Sequence, residues 1–367
     1  MTARILSVGT AVPETSLSQD AVRDFFAAQP GVDRMTRRLI HGAFAAADID
    51  RRHTVIAELA GPVGPDATFV GPDGTLRAPT TSVRNSLYER LAPPLFAQSA
   101  RAALAEAGVE ASAVTHVVTV SCTGLFAPGP DFRLVRDLGL PSGVERYHLG
   151  FIGCAAGLPG LRLAARIATA QPEAVVLVAC AELCSLHVRA VDDPQQIVAA
   201  SVFADGAAAA VVTADPARHA GGGLELDRFR TALTAEGERD MVWTIGDHGF
   251  EMTLSAEVPR IIGREIGQAV REALAGEAMP AAWAVHPGGR SILDRVQAGL
   301  DLPPAALAAS RSVLREHGNM SSATILFILR RLLHDEALAE GDRVAALAFG
   351  PGLTVESALL TVRRTGS

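Results

Sequence analysis

The hydrophobic positions of the N-terminal half form short runs separated by polar and turn residues. The β-branched runs at 114–122 and 174–183 are each followed by turn or polar residues, which is typical of buried parallel strands. The alanine-rich stretch 161–170 between them predicts a helix, and the apolar run within residues 1–14 predicts a first strand. This half is therefore predicted to be α/β.

The C-terminal half has the same mixture of patterns. Apolar residues recur at helical spacing from 258 to 274, with Pro259 in the first turn, and predict an amphipathic helix. The elements expected after it are a strand, two helices and two closing strands, at 281–286, 291–300, 321–333, 343–352 and 353–362. This half is also predicted to be α/β.

The two halves share one weak similarity. Residues 202–215 and 348–362 each combine a turn with a hydrophobic strand, which suggests an internal duplication. A turn-rich segment after residue 213 marks the candidate boundary, so we divide the chain into 1–216 and 217–367. The Gly- and Pro-rich segment 61–79 is predicted to be a surface excursion.

The composition favours a globular protein with a large core. Of the 367 residues 49% are hydrophobic, and the mean hydropathy is +0.24. The net charge is −7 and the arginines are scattered, which argues against a nucleic-acid partner. The longest apolar run, 174–181, is shorter than the roughly 20 residues that span a bilayer, and the N-terminus lacks a signal-peptide pattern. We expect a cytoplasmic protein with no membrane span.

The chain contains no lysine, so every strongly basic side chain is an arginine. This excludes Schiff-base catalysis, lysine-linked pyridoxal phosphate and a phosphate-binding P-loop. Four cysteines without a paired CxxC pattern are too few for a disulfide framework and do not predict a metal site. Cys122, Cys180 and Cys184 are expected to be reduced core thiols, with Cys122 also facing a substrate.

The fourth cysteine, Cys154, lies in the stretch GFIGCAAG at 150–157, between a predicted strand and a predicted helix. The N-terminus of a helix stabilises a thiolate, and the flanking glycines let a carbonyl approach the backbone. On this segment alone, however, a buried and inert cysteine is the better interpretation.

Two further residues supply what a reactive Cys154 needs. His286 ends an apolar strand just before a Pro-Gly-Gly turn, and Asn319 precedes a helix. Taken singly, a solvated histidine and a helix cap are sufficient explanations. Together, a thiol and two neutral donors suit carbon–carbon bond formation, because both donors can hold the enolate oxygen of a decarboxylating malonyl thioester.

These motifs resemble the type III polyketide synthases, relatives of chalcone synthase in the thiolase superfamily. The resemblance rests on GFIGCAAG, HPGG at 286–289, GNMSSAT at 318–324 and FGPG at 349–352, in the family's order. It implies a five-layer αβαβα thiolase fold built from two similar halves and a homodimer. It also implies that Cys154 is the nucleophile, with His286 and Asn319 as the decarboxylation and oxyanion residues.

The resemblance further implies a substrate cavity. Phe203 matches a gatekeeper phenylalanine, Met252 replaces the second one, and a glycine-rich loop would shape the wall, namely Gly350, Pro351 and Gly352. Cys122 and His187 fall where chalcone synthase has threonines that line its cavity, which predicts a different starter.

Two parts of the family pattern are weaker in this chain. Arg51 and Arg52, with Arg37 and Arg38 nearby, are the candidates for binding coenzyme A phosphates, although most of the family's basic residues have no clear counterpart. The methionine that reaches across the dimer of the plant enzymes falls on Ala127.

The stretches 180–189 and 241–259 look most like bacterial members that make alkylpyrones or alkylresorcinols. The resemblance therefore implies a fatty acyl starter, loaded from coenzyme A onto Cys154 and extended two or three times with malonyl-CoA before cyclisation. No metal or organic prosthetic group is expected. The alternatives are an initiation-type ketoacyl synthase that condenses once on acyl carrier protein, and a non-catalytic thiolase-fold subunit.

Overall fold

Thirteen strands and ten α-helices occur in the residues described by the computed structural model, which are 2–61, 63–190, 194–255 and 257–364. The strands are β1 Arg4–Ala11, β2 Thr15–Ser18, β3 Arg51–Thr54, β4 His116–Ser121, β5 Glu145–Gly150, β6 Val175–Leu183, β7 Asp205–Thr213, β8 Gly223–Leu233, β9 Met241–Gly246, β10 Gly249–Leu254, β11 Ala282–Val285, β12 Arg343–Gly350 and β13 Thr354–Arg363. The α-helices are α1 Gln19–Ala27, α2 Arg34–Ala46, α3 Thr81–Ala107, α4 Pro130–Leu138, α5 Gly157–Ala170, α6 Pro194–Val202, α7 Val258–Leu274, α8 Arg290–Gly299, α9 Ala308–His317 and α10 Thr324–Leu333.

Nine of the strands form one sheet in which the same order of strands occurs twice. In the first half β1 pairs antiparallel with β7, β7 pairs antiparallel with β6, and β6 lies parallel to β4. In the second half β8, β13, β12 and β11 repeat these pairings in the same directions. The two halves of the sheet are joined by the pairing of Arg4 and Ile5 of β1 with Glu225 and Leu224 of β8.

The sheet residues alternate between a central and an outer layer, because successive side chains of a strand point to opposite faces. On β6, Val176 and Val178 face the central layer, where α5 and α10 pack, whereas Val175 and Leu177 face the outer layer under α3. On the other half, α7 and α8 cover the outer face of β11, β12 and β13. The predicted αβαβα arrangement of two similar halves is therefore confirmed, while the exact boundary at residue 216 stays a prediction.

Most predicted elements occur within a few residues of their expected positions, but two details differ. Residues Ser321–Ala323 form a separate 3-10 turn before α10, and Ser321 adopts a positive φ of 46°. The surface excursion predicted at 61–79 is wrong for its middle part, since Phe69 and Val70 are buried. The Glu58 carboxylate accepts hydrogen bonds from their backbone amides, which fixes that segment against the core.

The topology brings three chain segments to one place. The 3-10 turn Gly153–Ala155 precedes α5, the 3-10 turn Ser321–Ala323 precedes the equivalent helix α10, and the two turns touch. The end of β11 carries His286 toward the same cavity. Among the described residues, no helix is both long and apolar enough to cross a membrane.

Candidate active site

Cys154 is held in a turn that only a glycine-containing sequence can form. Gly153 has a φ of +79°, and a Cβ there would lie 2.2 Å from Cδ of Pro351. The Gly153 amide donates to Sγ of Cys122 at 3.0 Å. Gly350 packs beside Ala155, where a Cβ would be 3.1 Å from the alanine methyl, and Gly352 completes the loop with a φ of +68°. The loop 350–352 therefore packs against the turn that holds Cys154.

His286 and Asn319 are fixed through their backbones. The His286 amide donates to the Leu347 carbonyl at 2.8 Å. Asn319 donates its amide to Val202 and accepts from the Ala204 amide, so it lies against the segment that carries Phe203. Its side-chain oxygen accepts from the Ser321 amide at 2.9 Å, which leaves the NH₂ group as a donor.

Burial favours the neutral forms of both Cys154 and His286. Burial raises the pKa of the Cys154 thiol to about 11, although hydrogen bonds from Ser321 and Asn319 oppose the shift. Burial lowers the pKa of His286 to about 3, and neither ring nitrogen has a hydrogen-bond partner within the described residues. Burial of Cys154 therefore opposes the stabilisation of a thiolate that its position before a helix would provide.

Two cavities meet at Cys154. Cavity A, with a volume of about 400 Å³, is lined by Cys154, His286 and Asn319 at one end and by Ala43, Ala46 and Val198 elsewhere. Cavity B, with a volume of about 110 Å³, continues from Cys154 toward α1 and β2. The residues common to both cavities are Cys154, Phe203, Met241 and Met252.

Cavity B contains most of the predicted substrate residues together with several that the sequence did not reveal. Cys122, His187 and Pro351 line it, as predicted from the resemblance. Cys184, expected in the core, is buried and also lines it. The other lining residues missed from the sequence include Trp243 and Phe250. Both residues lie on the β9–β10 hairpin. The sequence signal for them was the presence of two aromatic residues in a segment for which no helix or strand was predicted.

His187 is a fixed part of the cavity wall. Its Nδ1 accepts from the Phe250 amide at 2.9 Å, and its Nε2 lies 2.8 Å from the Thr123 carbonyl, so the neutral Nε2–H tautomer satisfies both contacts. The ring stacks on Phe250 with centroids 4.2 Å apart. Burial lowers the pKa of His187 to about 4. His187 therefore remains uncharged at neutral pH and shapes the cavity.

Glu182 is a buried carboxyl that the sequence analysis did not select. It accepts hydrogen bonds from the Cys122 amide, from the hydroxyls of Ser121 and Thr123, and from the Ser322 hydroxyl at 2.5 Å. Burial raises its pKa, while these donors lower it. An acid within the apolar run of β6 was the signal that could have identified it.

With this geometry described, the chain can be compared with known proteins. Models of the chalcone and stilbene synthases match it twice, the N-terminal domain over residues 1–216 and the C-terminal domain over 225–363. The chain belongs to the chalcone and stilbene synthase family. Members of this family are type III polyketide synthases, acyltransferases that use acyl-CoA and malonyl-CoA.

Relatives cover nearly the whole chain. Bisdemethoxycurcumin synthase of Oryza sativa subsp. japonica is 33% identical over 98% of this chain and 92% of its own. Probable polyketide synthase 1 of Dictyostelium discoideum is 30% identical over 97% of this chain, which spans only 11% of that longer protein.

Solved structures agree with the fold. PKS-I of the brown alga Ectocarpus siliculosus superposes with a TM-score of 0.92 at 30% identity, covering 98% of both chains. 1,3,6,8-Tetrahydroxynaphthalene synthase of Streptomyces coelicolor A3(2) gives a TM-score of 0.86 at 28% identity, covering 99% of this chain and 100% of the other. The type III polyketide synthase resemblance is thus confirmed, whereas the bacterial alkylpyrone or alkylresorcinol subtype stays a prediction.

The assignment of Arg52 to a coenzyme A phosphate needs correction in this type III polyketide synthase. Arg52 is only 5% exposed, and its Nη1 donates to the carbonyls of Ala200 and Phe203 at 2.6 and 2.9 Å. Together with Gln19, which donates to Ser201, it satisfies the C-terminal carbonyls of α6. Arg51, the adjacent residue of β3, points to solvent and lies outside both linings.

Helix α6 forms the wall between the two cavities. Gln196, Ala199 and Ala200 face cavity B, while Val198 and Val202 face cavity A. Arg52 therefore positions this wall and Phe203 at its end.

Acid should weaken the fold through His286. Between its pKa of about 3 in the folded chain and 6.5 in the unfolded chain, only the unfolded chain binds the proton, so stability falls as the pH falls. Relative to a His286→Gln variant, the unfolding free energy of the wild type should drop by about 1.4 kcal/mol per pH unit from about pH 6 to pH 4. Urea titrations at each pH measure this. A pH-independent difference would contradict a buried neutral imidazole.

Replacing Arg52 by methionine should displace α6 and Phe203. Because buried carbonyls lose their donors, we expect kcat/KM to fall by about tenfold with a hexanoyl-CoA starter. The loss should be the same with hexanoyl-pantetheine, which has no phosphates, and Arg52→Lys should recover part of it. Arg51→Met is the matched control and should change neither rate. A loss confined to the coenzyme A ester would instead place Arg52 at a phosphate.

Proposed function

We propose that this enzyme loads an acyl starter onto Cys154 and extends it by repeated decarboxylative condensation with malonyl-CoA. The observation that carries the proposal is the meeting of Cys154, His286 and Asn319 in cavity A, at the point where cavity B begins. One cavity admits a thioester arm, and the other receives the acyl chain. The same residues support both loading and extension.

In loading, the neutral imidazole of His286 accepts the Cys154 proton as sulfur attacks the thioester carbonyl. The new bond joins that carbonyl to Sγ, the bond to the coenzyme A sulfur breaks, and the proton passes from His286 to the departing thiolate. Burial raises the pKa of the thiol and lowers that of the imidazole, so this proton transfer requires the entering thioester, whose carbonyl carbon takes up the electron pair of the sulfur as the proton leaves.

In extension, malonyl-CoA releases its carboxylate as carbon dioxide, and the electron pair forms an enolate. The N–H of His286 and the NH₂ of Asn319 hold the enolate oxygen, and their burial strengthens both hydrogen bonds. The enolate carbon then attacks the acyl carbonyl on Cys154, forming the carbon–carbon bond and releasing the Cys154 sulfur. The lengthened chain returns to Cys154 for the next cycle.

The lining of cavity B supports an alkyl starter. Leu17, Val22, Phe26 and Leu59 line its far part and suit an alkyl chain, although Thr54 and Ser185 also contribute polar groups to the lining. The volume of about 110 Å³ is small, so longer chains require Met241 and Met252 to change rotamer, which unbranched thioethers do easily. Two or three extensions and closure to an alkylpyrone or alkylresorcinol are the outcome we propose.

The test combines starters with variants. The purified enzyme is given malonyl-CoA with hexanoyl-, lauroyl-, palmitoyl- or cinnamoyl-CoA, and product masses are read by liquid chromatography. Cys154→Ala should abolish the acyl-enzyme and all products. His286→Gln and Asn319→Asp should each lower malonyl-CoA decarboxylation by about 10²- to 10³-fold, since each removes an oxyanion donor.

Cys180→Ala is the matched control, because this buried thiol lies in the central core and should leave the products unchanged. Condensation by Cys154→Ala would refute the proposal. A single extension seen only with acyl carrier protein would indicate an initiation-type ketoacyl synthase, and inactivity with every donor would favour a binding subunit.

We also propose a homodimer that uses the free edge of β5. This strand ends the nine-stranded sheet, and Tyr147 on it and Ile152 just beyond it are partly exposed. A free strand edge pairs readily with a second copy, and a symmetric pair closes the interface. Exposed Ala127 makes a cis peptide with Pro128 and would face this interface by the family pattern.

Sedimentation should give twice the chain mass of 38.2 kDa. A Tyr147→Glu and Ile152→Glu double variant should sediment as a monomer, because dimerisation would bury the negative charges of both subunits against each other. Ile245→Glu, on the exposed β9–β10 hairpin, is the control and should remain dimeric. Unchanged sedimentation of the double variant would place the interface elsewhere.

A further inference from the structure

Helix α2 carries an exposed apolar stripe that leads to the mouth of cavity A. Met35 is 63% exposed and Leu39 is 44% exposed, although both are large apolar side chains. They lie four residues apart, and Ala43 continues the same face into the lining of cavity A. Val198 of α6, which is 39% exposed, lines the same mouth. A solvent-facing stripe continuous with an active-site cavity indicates a binding surface.

The charge of α2 is entirely positive. The helix contains Arg34, Arg37 and Arg38 and no acidic residue. Within the described part of the chain, none of the three forms an ion pair, and Arg37 donates only to the Ala27 carbonyl at 3.3 Å. The chain as a whole carries a net charge of −7, so this face differs from the rest of the surface. It complements an acidic partner.

The mouth itself offers little to the nucleotide of free coenzyme A. Ala43, Ala46 and Ala47 line it where α2 approaches the cavity, and alanine methyl groups cannot bind phosphate. Arg290 is the cationic side chain in the lining, and Asp294 already lies 3.4 Å from it. Met35 and Leu39 would also remain uncovered by a nucleotide. The surface therefore favours a larger, partly apolar donor.

We propose that the exposed face of α2 docks an acyl carrier protein that delivers the starter. A carrier protein presents an acidic helix with apolar side chains beside a phosphopantetheine arm, which matches the arginines, the apolar stripe and the adjacent cavity. The narrowness of the stripe, which runs down one face of a single helix, favours a partner helix over a lipid surface. This inference rests on the proposed function, because Cys154 must accept the acyl group.

The transfer is a thioester exchange. The acyl carbon forms a bond to Sγ of Cys154 and its bond to the phosphopantetheine sulfur breaks. The Cys154 proton passes through His286 to that sulfur. Malonyl-CoA then enters cavity A after the carrier has left.

The test compares two donors of the same acyl group. Lauroyl-CoA and a bacterial acyl carrier protein charged with lauroyl-phosphopantetheine are mixed with the full-length enzyme, and intact-mass spectrometry follows acylation of Cys154. Leu39→Glu and Arg34→Glu should slow loading from the carrier by at least tenfold. Loading from lauroyl-CoA should stay within twofold of the wild type, because neither residue lines cavity A.

Matched controls change exposed residues of the same types elsewhere on the surface. Leu233→Glu and Arg166→Glu change an exposed leucine and an exposed arginine away from α2, and both should load from the carrier at the wild-type rate. Circular dichroism checks that each variant is folded.

Each contrary result has a separate meaning. Equal losses with both donors would assign α2 to coenzyme A and overturn the proposal, as would unchanged loading from the carrier. If the α2 variants lose binding to anionic phospholipid vesicles but load from the carrier at the wild-type rate, this face binds a membrane and not a carrier protein. If the wild type loads Cys154 from neither donor, the proposed function itself fails.

Discussion

The buried carboxylate of Glu182 is the contact on which the geometry of the site depends. It lies on β6 in the first half of the chain, yet it is held by the turn 121–123 from that half and by Ser322 from the second. A charge in a dry interior costs several kcal/mol unless each lone pair is satisfied. A shift of either turn would therefore leave an oxygen of Glu182 without its hydrogen-bond donor and incur that cost. Cys154 lies between these turns and takes its position from both.

The same dry surroundings govern the chemistry. Desolvation raises the pKa of the Cys154 thiol and lowers that of the His286 imidazole, so it favours the uncharged form of each group. In the loading step that we propose, the entering thioester lets a proton move from Sγ of Cys154 to the imidazole of His286. A neutral imidazole at position 286 also retains an N–H group that can donate to an enolate oxygen.

Sequence patterns predict the order of the elements and the positions of the motifs, but they do not predict which of the key residues are buried. Glycine-flanked Cys154 and the strand end at His286 were found because local patterns specify turns. The burial of Cys154 is not evident from local patterns, since it depends on segments more than a hundred residues away, such as the loop that carries Pro351. Arg52 was misassigned although a local rule was available. Neighbouring residues of β3 alternate in direction, so only one of Arg51 and Arg52 can face solvent. Cys184 reaches cavity B through long-range contacts that no local pattern encodes.

Helix α6 separates two compartments with a single layer of backbone, and this thinness restricts how the enzyme can diverge. A displacement of the helix that enlarges the room for the acyl chain narrows the passage for the incoming thioester by a similar amount. Selectivity for starter length and speed of entry are thereby linked traits. Lineages that change product length through this wall must compensate on the opposite side of one cavity or accept slower turnover.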